Sequence, residues 1–183
     1  MRSLLFFALF RLSIFSFGQT PVKTNINIDS LLKAKASEAI GKSFPKFVAT
    51  NDRGKINNNS LMGKVVLINF WFEDCSPCVA EFDALNELAQ KLKGNKDFEF
   101  ISFTRDNAET IKRVKEKYKL EFKVFSIDDK ECGRLNQNNG YPTTIILDRK
   151  GKIKYLVCGG ATDTEKAKEF VMTTLFPEIQ KEF

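Results

Sequence analysis

Val65-Val66-Leu67-Ile68-Asn69-Phe70-Trp71-Phe72-Glu73-Asp74-Cys75-Ser76-Pro77-Cys78 is the stretch whose reading decides the fold. Its first eight residues are almost continuously apolar, as a strand covered on both faces of a parallel sheet requires. From Pro77 to Lys93 the period changes. Val79, Phe82, Leu85, Leu88, Ala89 and Leu92 recur at helical spacing, and Gly94-Asn95 stops the run. The two cysteines therefore lie where a buried strand becomes a helix. There the unpaired N–H groups and the helix dipole favour thiolate over thiol at Cys75, and the thiolate is the nucleophile. Cys78, three residues on, shares the helix face and can displace whatever Cys75 captures. Pro77 suits a first turn, where its missing N–H has no partner to lose.

Alternating elements extend outward from this junction. A short helix spans Ser30 to Ile40, and Phe44 to Ala49 with Lys55-Ile56 forms a hairpin around residues 51–54. Beyond the CxxC helix come a strand (Phe98 to Thr104), a helix (Asn107 to Tyr118), a strand (Lys123 to Ile127) and a short helix (Cys132 to Gln137). Thr143 to Asp148 and Lys152 to Val157 flank Arg149-Lys150-Gly151 as an antiparallel pair. Thr164 to Phe176 is a closing helix stopped by Pro177. Strands alternating with helices, then a hairpin, imply an α/β fold with a central mixed sheet. The expected organisation is a signal peptide over residues 1–18, a lead-in and short helix over 19–40, one domain over 41–176 and a tail over 177–183.

Composition narrows the chemistry. The 183 residues include no histidine, which excludes Ser–His and Cys–His catalysis and any imidazole ligand. A hydrophobic content of 43% and a charged content of 28% suit an ordinary globular domain with one substantial core, filled here by 18 phenylalanines. The net charge of +6 comes from lysines dispersed among acids. This is a solvated surface without the clustered basic stripe of a nucleic-acid site, and no nucleic-acid partner is expected. The opening MRSLLFFALFRLSIFSFGQT has an early Arg2, an apolar run and the small residues Ser16 and Gly18 before Gln19. This reads as a cleaved signal peptide, with an uncleaved membrane anchor as the alternative. Export places the cysteines in an oxidising compartment.

Other readings of the CxxC pair are weaker. A zinc site wants four ligands, whereas Cys132 and Cys158 are isolated in sequence and histidine is absent. Valine after Cys78 excludes haem attachment. A thiol-dependent peroxidase lacks the threonine expected ahead of its reactive cysteine. A copper(I)-binding chaperone using the same thiolates would lack the usual added histidine. Cys132 and Cys158 themselves are read as unpaired, partly buried thiols on opposite flanks of the central strand. A bridge between them and an auxiliary redox role stand as the alternatives.

Gly140-Tyr141-Pro142-Thr143-Thr144 opens the late apolar strand, with proline at a strand's first residue and a Tyr-Pro bond suited to the cis form. With the Trp-x-x-x-Cys-x-x-Cys junction and the Lys150-Gly151-Lys152 hairpin, it resembles the thioredoxin-like superfamily. More closely, from about Ile40 to Phe176 the chain is similar to the exported TlpA/ResA-type thiol–disulfide oxidoreductases, which are related to the redoxins.

That resemblance implies a thioredoxin-like fold with an N-terminal β-hairpin and a helix–strand insertion over Asn107 to Ile127. It implies a redox-active Cys75–Cys78 disulfide, with Cys75 attacking and Cys78 resolving, and Pro142 packed in cis against the pair. Substrate would be met by Trp71, Ser76, Pro77, Tyr141 and Pro142. Glu81 resembles a buried glutamate of this group, able to raise a thiol pKa or relay a proton; the alternative is a surface acid favoured only by the helix dipole. A monomeric periplasmic disulfide reductase with no cofactor, recharged by a membrane electron donor, is expected, the location from the leader and the direction from the acids before Cys75; family analogy suggests oxidised exported proteins such as apocytochrome c as substrates. Glu73 and Asp74, standing before Cys75, are expected to oppose the dipole and make that thiol less acidic.

Overall fold

The computed structural model describes residues 28–183, with side chains described from residue 33 onward. The expected signal peptide and most of the lead-in lie outside the described residues. Strand β3 (Val65–Trp71) is buried at all seven positions, as its unbroken apolar run requires of a central strand. It pairs in parallel with β4 (Phe98–Thr104), which pairs in parallel with β5 (Lys123–Ser126). On its other side β3 pairs antiparallel with β6 (Thr143–Leu147), which continues antiparallel into β7 (Ile153–Cys158). The spatial order is β5-β4-β3-β6-β7, the expected mixed sheet.

Alternation along β3 divides the interior into two layers. Val65, Leu67 and Trp71 face a cluster that contains Phe82, Leu85 and Leu88 of α3 (Ser76–Lys91) and Val171, Leu175 and Ile179 of the C-terminal helices. Val66, Ile68 and Phe70 face the opposite cluster, with Ala39 of α1 (Ile28–Ala39) and the hairpin residues Ala49 and Ile56. That hairpin is β1 (Val48–Asn51) and β2 (Gly54–Asn57), followed by one turn of helix, α2 (Asn58–Leu61). Asn51 Nδ2 donates to the Val124 carbonyl at 3.0 Å, so the hairpin occupies part of the β5 edge, where an unpaired row of backbone groups would otherwise be exposed.

The insertion is α4 (Ala108–Tyr118) leading into β5. Asn107 caps α4 by accepting from Thr110 N at 2.9 Å. Helix α5 (Asp129–Leu135) starts three residues earlier than its apolar pattern suggested, because Asp128 accepts from Glu131 N at 2.7 Å and sets the cap. Cys132 thus sits in the middle of α5. At the C-terminus, α6 (Thr164–Phe170) does not stop at Pro177. It passes through a π-helical turn over Val171–Leu175 into α7 (Phe176–Gln180). The wider turn brings Pro177 to the start of α7, where a missing N–H is tolerated. Ile179 is fully buried, so the expected tail is part of the core.

Candidate active site

Cys75 is the N-cap residue of α3, and no side chain caps the helix. Its N–H donates to Phe72 O at 3.1 Å and its carbonyl accepts from Val79 N at 3.0 Å. That fixes the strand-to-helix turn and leaves the N–H groups of Ser76 and Cys78 without an intrahelical partner at the helix start. A cysteine therefore stands where a serine or aspartate oxygen would ordinarily accept, and a thiolate there takes the place of the missing cap. Cys75 and Cys78 are joined in a disulfide with Cα atoms 5.2 Å apart. Cys75 is 5% exposed and Cys78 1%. Ser76 is exposed and Pro77 half-buried, so the mouth opens on the Cys75 side.

Glu81 is 1% exposed, and its Oε2 has no hydrogen-bond partner. Burial pushes its carboxyl up to about 8. Position 81, three residues after Cys78, puts the group on the CxxC face of α3 and beneath the loops that close over it. The surface alternative considered for Glu81 is therefore excluded.

The Tyr141–Pro142 bond is cis and Pro142 is buried. Pro142 O accepts from Gly159 N at 2.8 Å, and Thr143 Oγ1 donates to Gly140 O at 2.6 Å, so both flanks of the bond are held. The Tyr141 ring meets Phe72 edge-on at 5.2 Å. The Arg105 guanidinium lies 4.3 Å above the Phe72 ring and 5.8 Å from that of Tyr141, while Nη1 pairs with Asp129 at 3.1 Å.

Two expectations are corrected. Trp71 was expected to meet substrate, but it is fully buried. Its Nε1 donates to Ser102 Oγ at 3.1 Å and its ring packs edge-on against Phe82 at 5.3 Å. Position 71 points to the α3 side of β3, so the indole supports the site from below and Phe72 takes the surface. Glu73 does not act on Cys75 as an uncompensated acid. It is turned towards α4, where Arg113 Nη2 and Nε bond its carboxylate at 2.6 and 3.0 Å and hold its pKa below the usual carboxylate range. Asp74 alone remains exposed beside the cysteine.

Cys132 and Cys158 are both free thiols. Cys132 is fully buried rather than partly so, and burial pushes its thiol up to about 11, beside the Tyr141 hydroxyl. Cys158 is half-buried and pairs with Thr143 across β6 and β7. Sequence reasoning passed over Phe72, Arg105, Asn69 and Gly160. Asn69 could have been noticed as a polar residue inside an apolar strand; it is 1% exposed, donates to Thr144 Oγ1 at 3.1 Å and leaves its Oδ1 unpartnered. Arg105 and Gly160 reach the site only through the topology, and no local signal marks them. Among the described residues no group of three or more His, Cys, Asp or Glu side chains is placed to hold a metal ion.

Comparison with known proteins agrees with this geometry. The model of the AhpC/TSA family matches residues 40–156. The chain is similar to the thiol-disulfide oxidoreductase ResA of Bacillus cereus, with 34% identity over 130 residues covering 70% of this chain and 75% of the relative. Among solved structures, one from Chlorobium tepidum named as a thiol:disulfide interchange protein DsbE superposes with a TM-score of 0.66 at 24% identity, covering 76% of this chain and 97% of the other, and shows the shared fold. A thiol:disulfide interchange protein from a Bacteroides species superposes with a TM-score of 0.59 at 25% identity, covering 73% and 91%. None of these three names describes a peroxidase or a metal carrier.

Proposed function

The chain belongs to the AhpC/TSA family and is a thioredoxin-like thiol–disulfide oxidoreductase, and from that premise we propose that it works outside the cytoplasm as a reductase of disulfides in exported proteins, with Cys75 as nucleophile. The observation that carries the reading is a cysteine pair at an uncapped helix N-terminus with a buried carboxyl on the same helix face. In the reductive direction the Cys75 thiolate attacks one sulfur of a substrate disulfide and the other substrate sulfur leaves as a thiolate. Cys78 then gives its proton to Glu81 in its ionised form, the minor form at neutral pH, and attacks the Cys75 sulfur of the mixed disulfide. The second substrate thiolate departs, both substrate thiolates take up protons from water, and the Cys75–Cys78 bond remains. Two electrons have passed to the substrate. A membrane electron donor restores the dithiol.

Ser76, Pro77, Tyr141 and Pro142 are assigned to substrate contact. Pro142 and the backbone of Tyr141 are the groups suited to an extended chain at the mouth. The reductive direction is supported by the exposed carboxylate of Asp74 beside Cys75, a negative charge that disfavours a thiolate there. Strong oxidants such as DsbA owe their potential to a stabilised thiolate. Export rests on the apolar leader of residues 1–18; among the described residues no helix is long and apolar enough to cross a membrane. Apocytochrome c is the substrate that the family resemblance suggests, and the working form is taken to be a monomer.

Equilibration with glutathione tests the direction. The expected reduction potential is more negative than about −180 mV, the value of protein disulfide isomerase, and one near about −120 mV, that of DsbA, would reverse it. Expressing the Cys78→Ser protein with its leader should accumulate mixed disulfides with exported proteins. Adducts with cytoplasmic proteins alone would overturn the proposed location.

A further inference from the structure

Gly160 lies in the connection between β7 and α6 and is exposed, whereas Glu81 on α3 is almost wholly buried. The two meet. A Cβ on Gly160 would stand 2.6 Å from Glu81 Oε1, 3.4 Å from Glu81 Cδ and 3.1 Å from Pro142 Cγ. No other glycine among the described residues comes so near an ionisable side chain. Backbone conformation is not the reason for glycine here. Gly159, with φ 91°, lies in the left-handed region and Gly160 does not, so a side chain at position 160 is opposed by contact alone and would have to displace the Glu81 carboxyl.

The surroundings of the carboxyl are otherwise closed. Its Oε2 has no partner within the protein, and burial is the cause of its raised pKa, without a charged neighbour. Asp163, the nearest acid along the β7–α6 connection, is engaged as the cap of α6, accepting from Lys166 N at 3.0 Å. The ionisable groups that remain on its helix face are Cys75 and Cys78. On its outer side the carboxyl is thus separated from water by a residue with no side chain.

We propose that Gly160 is a positioning residue that acts through Glu81: the missing side chain sets where the carboxyl rests against Pro142 and leaves the path by which its proton reaches water. The inference rests on the proton-accepting role proposed for Glu81. In each reductive cycle Glu81 takes one proton from Cys78 Sγ and must release one proton to solvent before the next, and the Oε1 side beneath Gly160 is where that release occurs. A methyl group at position 160 crowds Oε1, covers its outer side and drives the carboxyl into drier surroundings, which raises its pKa further.

The test is the pH dependence of Cys75 alkylation by iodoacetamide in the reduced full-length protein, in four forms: wild type, Gly160→Ala, Glu81→Gln and the double variant. Gly160→Ala should move the Glu81-dependent midpoint upward by about half a pH unit or more and slow insulin reduction. In the Glu81→Gln background the same alanine should move nothing. An equal effect in both backgrounds, or none in the wild-type background, overturns the inference. The Glu81→Gln single variant reads the underlying role separately, since an unchanged profile there removes Glu81 from the mechanism and Gly160 with it. Infrared titration of the Glu81 carboxyl in oxidised Gly160→Ala provides a second readout, with an upward shift expected and an unmoved midpoint contradicting the proposal.

Discussion

A carboxyl held at 1% exposure with one oxygen unpartnered is tolerated best while it keeps its proton. The folded pKa of Glu81, about 8, lies above its ordinary value of 4.5. Between those values the native protein holds a proton that the unfolded chain has released. Stability of the oxidised protein should therefore fall as pH rises through this window and level off above about pH 8. The total loss is on the order of 5 kcal/mol at 1.36 kcal/mol per unit. Urea denaturation from about pH 5 to 9 should show this decline in wild type and its loss in Glu81→Gln; parallel pH profiles would contradict it. At Cys132 the same physics suppresses reactivity, since burial holds the thiol near 11. In the native oxidised protein at neutral pH, maleimide should label half-buried Cys158 before Cys132, as peptide mass spectrometry can check. The sequence showed Glu81 as a candidate but could not decide its burial, because Gly160, which meets it, lies far along the chain.

At the scale of elements, the strand β3 and the helix α3 were legible because each has one strong period and an unambiguous junction. Phe82 shows what that junction rests on. It is fully buried, packs against Trp71 of β3 and lies 5.3 Å from Tyr118 at the end of α4. Phe82→Ala should cost about 4 kcal/mol in denaturant unfolding, whereas a loss below about 1 kcal/mol would mean that the three elements are not locked there. The α4 insertion depends more on its cap. Asn107→Ala should cost about 1 kcal/mol, with hydrogen exchange rising first in the opening turn of α4; unaltered exchange there would contradict the assignment. Errors of reading arose where a local rule met a distant partner. Pro177 was a sound stop signal until the π-helical turn made it a starting residue. Glu73 looked like a second charge on the cysteine until α4 brought Arg113 to it.

Over the whole molecule the fold followed from the alternation of strand and helix, and the order β5-β4-β3-β6-β7 brings together groups from four separate stretches of chain. The cysteines and Glu81 come from α3, Pro142 from the start of β6, Arg105 from the end of β4 and Gly160 from the turn after β7. Only the first two groups carried a sequence signal, since a CxxC junction and a Tyr-Pro before a strand are local patterns, whereas Arg105 and Gly160 acquire meaning from sheet order alone. What this assembly is proposed to do depends on one sulfur being more nucleophilic than its neighbour. The direct measurement is alkylation of the reduced protein with limiting iodoacetamide at neutral pH, followed by peptide mass spectrometry. Modification of Cys75 well ahead of Cys78 is the predicted result. Preferential modification of Cys78, or inertness of both until the protein is unfolded, would contradict the account.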